Sequence, residues 1–147
     1  MTNDDLARRV RRLEDQEEIH ALLLAYRRAL DDRDFRGYAE LFAEDGVFTG
    51  PGFGATGHEE IFAMLESLVP EEIAATAGDD LHLICNVAID VGDDDTARAR
   101  STWVFIVRGE GDTPQLFKLG HYHDELRREN GRWRFAHRRS PMLIPVS

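Results

Sequence analysis

The chain has 147 residues, of which 42% are hydrophobic and 31% are charged, and its formal net charge at pH 7 is -10. This length suits one ordinary domain, and we expect residues 1–147 to form it. The composition is typical of a globular protein rather than a disordered or membrane-embedded chain. Because phosphate recognition needs clustered positive charge, the acidity argues against nucleic acid and anionic membranes as partners.

Two features near the start of the chain bear on location and partners. The first twenty residues are charged throughout, and no apolar run reaches membrane-spanning length, so the sequence predicts a cytoplasmic protein. The lone Cys85 excludes an intramolecular disulfide, which fits a reducing compartment. A basic cluster stands among acidic neighbours, which predicts a solvated helix face: Arg8, Arg9, Arg11 and Arg12.

Helical periodicity dominates the first half of the chain. Apolar residues recur three or four apart over residues 4–32, which predicts a long amphipathic helix. A short second helix is expected in "FRGYAELFAEDG", ended by Asp45-Gly46, and a third over residues 58–75, interrupted by Pro70. Between them, "GVFTGPGFGATG" predicts a glycine-rich loop with at most a brief strand over 47–49.

The second half of the chain changes to the period of strands. "LHLICNVAIDV", "TARARSTWVFIVR", "QLFKLGHYHDELRR" and "RWRFAHRRS" predict four strands, separated by the turn sequences "GDDD", "GEGDTP" and "ENG". Helices followed by an antiparallel meander predict an α+β domain, in which helices pack on one face of a curved sheet.

Within its apolar first half, the first of these strands contains two polar residues, His82 and Asn86. Strict alternation places both on one face, together with Ile84, and leaves an apolar opposite face: Leu81, Leu83, Cys85, Val87, Ile89 and Val91. The strand alone does not decide whether His82 meets water or lines a pocket. If helices cover the His82 face, the apolar face needs cover from another copy, which predicts a homodimer or homotrimer.

Three stretches together carry a resemblance to a known family: "ALDDRDFRGYAELFAEDGVF", "LHLICN" and "GHYHDELRRENGRWRFAHRRS". They resemble the SnoaL-like branch of the nuclear transport factor two superfamily over about residues 13–140. The resemblance implies a cystatin-like cone, in which a curved antiparallel or mixed sheet wraps around N-terminal helices. It implies no single reaction, since this fold hosts dehydratases, isomerases, cyclases and non-catalytic subunits.

Within that superfamily, the chain is similar to scytalone dehydratase, bile acid 7α-dehydratase and hexachlorocyclohexane dehydrochlorinase. Each has an Asp at the end of its first helix, paired with a His early in the first strand of its main sheet. The matching residues here are Asp31 and His82, and the tyrosine of the bile acid enzyme matches Tyr26. Asn86 and Arg138 match pocket residues of the dehydrochlorinase.

The remaining candidates concern substrate contacts and metals. By alternation either Tyr122 or the pair His121 and His123 lines the pocket, and the resemblance favours Tyr122. Phe48 completes the expected substrate contacts. The histidines lack a close ligand motif, so neither a metal nor another cofactor is expected.

We expect a cofactor-independent, dehydratase-like lyase that acts on a small hydrophobic cyclic molecule. A carboxylate on one ring nitrogen would orient the imidazole, which then accepts a proton from the substrate. Helical geometry places Tyr26 and Asp31 roughly 140° apart, so the helix must fray near Leu30 or the two must flank the substrate. The alternative is a non-catalytic role, either small-ligand binding or a structural subunit like the dioxygenase β subunit, with Asp31 and His82 too far apart for a hydrogen bond.

Overall fold

The computed structural model describes residues 1–69 and 78–144, which form a layer of helices on a mixed sheet. The helices are α1 (Asn3–Asp31), α2 (Phe35–Glu40) and α3 (Gly57–Leu68). The strands are β1 (Phe42–Gly50), β2 (Phe53–Thr56), β3 (Asp80–Val91), β4 (Thr96–Arg108), β5 (Pro114–Glu129), β6 (Arg132–Arg139) and β7 (Met142–Ile144), and a 3-10 turn at Glu110–Asp112 precedes β5.

Helix α1 begins at a capping box. The Thr2 hydroxyl accepts from the Asp5 N–H, and the Asp5 carboxylate accepts from the Thr2 N–H, so two free donors of the first turn are satisfied. The observed helix lies within one residue of the prediction at each end. Its buried side chains begin only at Asp15, and the first half of α1 is exposed.

The strands form a curved, unclosed sheet in the order β2-β1-β6-β5-β4-β3, and β7 pairs with β5. All neighbours are antiparallel except β1 and β6, which are parallel. The four strands predicted from alternation are confirmed as β3, β4, β5 and β6. The α+β class, with N-terminal helices on a curved sheet, is therefore confirmed.

The segment after α2 differs from the prediction. Helix α2 ends at Glu40, and β1 occupies nine residues where at most a brief strand was expected. Pairing explains the difference, because Phe42 lies opposite Phe135 of β6 and both rings are fully buried. The predicted loop also contains β2, which turns back on β1 through Gly52 at a φ of +77°.

A bulge in β3 corrects the assignment of its faces. The pairing with β4 shifts between Cys85 and Ala88, and Asn86 takes a φ of +53°. Before the bulge, the even-numbered residues lie on the same helix-covered face as His82. After the bulge, the odd-numbered residues are the more buried ones. Asn86 is exposed, so the prediction that it lies on the same face as His82 is wrong.

Helix α3 is confirmed from its start to Leu68, and the remainder of the third predicted helix, including Pro70, lies outside the described residues. Within 1–69 and 78–144, no helix combines the length and the apolar character needed to cross a membrane. Helices and sheet enclose an aromatic core that includes Tyr26, Tyr38, Phe42, Trp133 and Phe135.

Candidate active site

His82 and Asp31 are in direct contact where the end of α1 meets β3. The imidazole Nδ1 lies 2.8 Å from Asp31 Oδ1, and the backbone N–H of His82 donates to both carboxylate oxygens at 3.1 and 3.0 Å. Since a carboxylate only accepts hydrogen bonds, Nδ1 carries the proton and Nε2 carries the lone pair. The contact expected from the resemblance is therefore present, and it spans helix and sheet.

The position of Asp31 on the helix is unfavourable by itself. A negative charge in the last turn of a helix opposes the helix dipole, and the side chain is buried. The two donors of His82 offset this cost, and Arg27 adds a third at 3.1 Å from Oδ2. The helix remains regular through Asp31, so it does not fray near Leu30. Tyr26 therefore faces the pocket from one side of the helix, whereas Asp31, on another side, contacts His82 without lining the pocket.

The imidazole lies on the wall of a pocket of about 570 Å³ between the sheet and helices α1 and α3. Phe105 stacks on it at 4.4 Å between ring centroids, and the side chain of His82 is 13% exposed. Most of the lining is apolar, with a group of rings that includes Tyr26, Tyr38, Phe48, Trp103, Phe105 and Tyr122. Such a lining limits the contact of the imidazole with water and suits a hydrophobic molecule.

Three tyrosines meet at the inner end of this pocket. The hydroxyl groups of Tyr26 and Tyr38 are hydrogen-bonded, and the ring of Tyr122 lies 5.5 Å from that of Tyr26 in an edge-on arrangement. Burial raises the pKa of Tyr26 well above its ordinary value, and the neighbouring Tyr38 adds to the shift. Burial likewise raises the pKa of Tyr38 and Tyr122. All three therefore remain neutral phenols at physiological pH, and each keeps an O–H group that can donate a hydrogen bond.

Arg138 lies behind the tyrosines instead of on the pocket wall. Its side chain is fully buried, and the guanidinium carbon lies 3.5 Å from the Tyr122 ring centroid and 4.0 Å from that of Tyr26. Its Nε is 3.0 Å from Asp124 Oδ1, an ion pair without the alignment of a hydrogen bond. Burial raises the pKa of Asp124 to about 6, against the attraction of the guanidinium. Direct substrate binding by Arg138 does not fit this position.

The other predicted contacts divide by strand face. Phe48 lines the pocket and stacks on Phe53, and Tyr122 lines it from β5. His121 and His123 occupy the opposite face of β5, where His121 lies 3.3 Å from the Thr102 hydroxyl. Asn86 does not reach the pocket, because the bulge turns it away. Within residues 1–69 and 78–144, no three His, Cys, Asp or Glu side chains are grouped as metal ligands would be.

Several pocket residues were not predicted. Trp103 and Phe105 alternate along β4, opposite Ile84 and His82 of β3, so the period of two in "STWVFIV" contained the signal once the strand pairing was known. Arg33 and Asp80, which also line the pocket, form a largely buried ion pair at 2.6 Å, a contact across 47 residues that periodicity does not predict.

The fold and this site combine N-terminal helices on a curved, unclosed sheet with a histidine–aspartate pair whose imidazole lines an aromatic pocket. A profile for the SnoaL-like domain matches residues 11–139, and the chain belongs to this family. Among curated proteins, no sequence matches.

Solved structures support the same assignment. A cystatin-fold protein of the nuclear transport factor two type from Novosphingobium aromaticivorans shares 29% identity, with a TM-score of 0.86 over 99% of this chain and 93% of that chain. A proposed scytalone dehydratase from the same organism shares 26% identity, with a TM-score of 0.74 over 90% and 87%. A proposed aromatic ring hydroxylase, also from Novosphingobium aromaticivorans, shares 26% identity, with a TM-score of 0.73 over 92% of this chain and 93% of that chain.

Proposed function

We propose that this protein is a cofactor-independent lyase of the dehydratase type, which acts on a small hydrophobic cyclic substrate. The observation that carries the proposal is the 2.8 Å contact between His82 Nδ1 and Asp31, with the imidazole on the wall of an aromatic pocket. A carboxylate that holds Nδ1–H directs the basic Nε2 away from itself and stabilises the imidazolium that forms on proton uptake.

The proposed reaction needs one base and one acid, and His82 serves as both. Nε2 removes a proton from the carbon next to a carbonyl of the substrate, and the electron pair of that C–H bond forms the new double bond. The C–O bond on the neighbouring carbon breaks, and the departing hydroxide takes the proton back from the imidazolium as water. Asp31 positions the ring and offsets its transient charge without contacting the substrate.

Tyr26 has a different role in this proposal. Because burial raises its pKa, Tyr26 keeps its proton, so it can donate a hydrogen bond but is a poor proton donor. Its hydroxyl, supported by Tyr38, would orient an oxygen of the substrate while His82 exchanges the proton. Tyr122 and Phe48 supply flat apolar contacts for a ring. The single cysteine fits a reducing compartment, and the proposal includes action in the cytoplasm.

The second candidate is a non-catalytic protein that binds a small ligand or serves as a structural subunit. The similarity to a proposed aromatic ring hydroxylase supports the structural-subunit form of this candidate. It predicted that Asp31 and His82 lie too far apart for a hydrogen bond, whereas their atoms are 2.8 Å apart. The geometry therefore favours the lyase.

The proposal is tested with a panel of cyclic β-hydroxyketones, whose dehydration yields conjugated enones with strong ultraviolet absorbance. We expect His82→Gln to lower kcat by about 10²-fold or more, the usual contribution of general acid–base catalysis. His121→Gln is the matched control, because His121 lies on the opposite face of the sheet and should retain full activity. Equal rates for the wild type and His82→Gln would contradict the proposal, as would the absence of turnover across the panel.

A further inference from the structure

Lys118 is the only lysine in the chain, and it lines the pocket that contains His82. Its Nζ lies 5.7 Å from the ring centroids of both Phe105 and Phe117, and no described residue accepts a hydrogen bond from it. The other charged groups at the pocket have partners, since Arg33 is paired with Asp80 and Asp31 with His82. Lys118 is thus the one pocket cation without an anionic partner in the described ranges.

An unpaired ammonium on an apolar wall has three donors and no acceptor. The flanking rings attract its charge, but they accept no conventional hydrogen bond. The protein as a whole carries a formal charge of -10, so its field disfavours an anion approaching the pocket. A local cation inside the pocket reverses that bias over a few ångströms, where screening by salt is weak.

The register of the sheet fixes where this cation stands relative to the imidazole. Phe105 of β4 pairs with His82 on one side and with Lys118 on the other. Since neighbouring strands are about 4.8 Å apart, the backbones of His82 and Lys118 are separated by roughly 10 Å. The extra residue at Phe117 forms a bulge in β5, and both Phe117 and Lys118 reach the pocket.

We infer that Lys118 binds an acidic oxygen of the substrate, a carboxylate or a phenolate, at the end of the molecule remote from the carbon that His82 deprotonates. The inference deepens the proposed function and rests on it. It defines the substrate class as an aromatic or polycyclic acid about two rings long. Lys118 then selects the orientation in which the reacting C–H bond faces Nε2.

The binding test uses 2-naphthoate and its neutral counterpart 2-naphthamide as probes, with affinity measured by calorimetry. We expect the wild type to prefer the naphthoate, and Lys118→Met to lose about tenfold in naphthoate affinity while the naphthamide affinity is unchanged. Methionine keeps the apolar stem of the side chain, so packing is retained. Lys118→Arg keeps the charge and should retain the preference.

The matched control is Arg139→Gln, which removes one positive charge from an exposed position outside the pocket and should leave both affinities unchanged. Three results would overturn the inference. The wild type could show no preference for naphthoate, Lys118→Met could lose the same affinity for both probes, or Arg139→Gln could lower the naphthoate affinity as much as Lys118→Met does.

Failure of the inference is distinguishable from failure of the proposed function. The naphthoate preference does not require proton transfer, so we expect His82→Gln to keep it. If Lys118→Met turns over neutral and acidic β-hydroxyketones with the wild-type ratio of kcat/KM, the inference is wrong and the lyase proposal stands. If the naphthoate preference depends on Lys118 but no elimination occurs, the anion site stands and the lyase proposal falls.

Discussion

Replacing Asp31 by Asn changes one charge at the contact on which the proposed chemistry depends. The wild-type carboxylate accepts hydrogen bonds from Nδ1 and the backbone N–H of His82, and from Arg27. An amide of the same shape offers one acceptor and one donor. Its oxygen takes the place of Oδ2, where it accepts from the backbone N–H and from Arg27, and its NH₂ then faces Nδ1. The imidazole must accept there, so its proton moves to Nε2 and the ring presents no base to the pocket.

The expected loss of unfolding free energy in Asp31→Asn follows from how deeply each partner of the carboxylate is buried. The His82 and Asp31 side chains are 13% and 9% exposed, so loss of their charge-assisted contact should cost about 1–3 kcal/mol of unfolding free energy. The Arg27 side chain is 30% exposed, and its ion pair should contribute less than about 1 kcal/mol. Because the base is lost, kcat should fall by about 10²–10⁴-fold.

The assay combines urea denaturation with long-range ¹H–¹⁵N correlation spectra of protein labelled at histidine, which identify the protonated ring nitrogen. We expect an Nδ1–H tautomer for His82 in the wild type and an Nε2–H tautomer in Asp31→Asn. Arg27→Gln is the matched control, and it should keep the wild-type tautomer. The reasoning is refuted if Asp31→Asn keeps the Nδ1–H tautomer, or if Arg27→Gln destabilises the protein as much as Asp31→Asn.

Two further predictions concern the core and the outer face of the sheet. Arg138→Met leaves Asp124 buried without its partner, so urea denaturation should show a loss of about 3–5 kcal/mol. The double variant Arg138→Met with Asp124→Leu should recover part of that loss, and a double variant no more stable than the single one would contradict this account. On the outer face, Leu83 is 47% exposed beside Leu81 and Ile106, a surface that we expect a second copy to cover. Leu83→Asp should shift sedimentation from an oligomer to a monomer, and a wild-type monomer would refute the expectation.

The amino-acid sequence determined the elements whose signals are local. The helical period predicted α1 within one residue at each end, and the period of two predicted β3 to β6. These patterns reflect which side chains share a face of a helix or strand, and that depends only on residues a few positions apart along the chain. The pairing of Asp31 with His82 came from motif resemblance, because periodicity alone left His82 between solvent and pocket.

The tertiary structure decided what depends on a partner strand or on depth. One inserted residue near Asn86 turned it to solvent, because a strand's faces alternate only while its pairing stays in register. Arg138 resembled a pocket residue by spacing, yet the rings of Tyr26 and Tyr122 separate it from the pocket. Lys118 gave no signal in the sequence beyond being the only lysine, and only the alignment of three strands placed it two strands away from His82 on the wall of the same pocket. Local periodicity identifies the side of a strand, whereas a site requires contacts between segments that are distant along the chain.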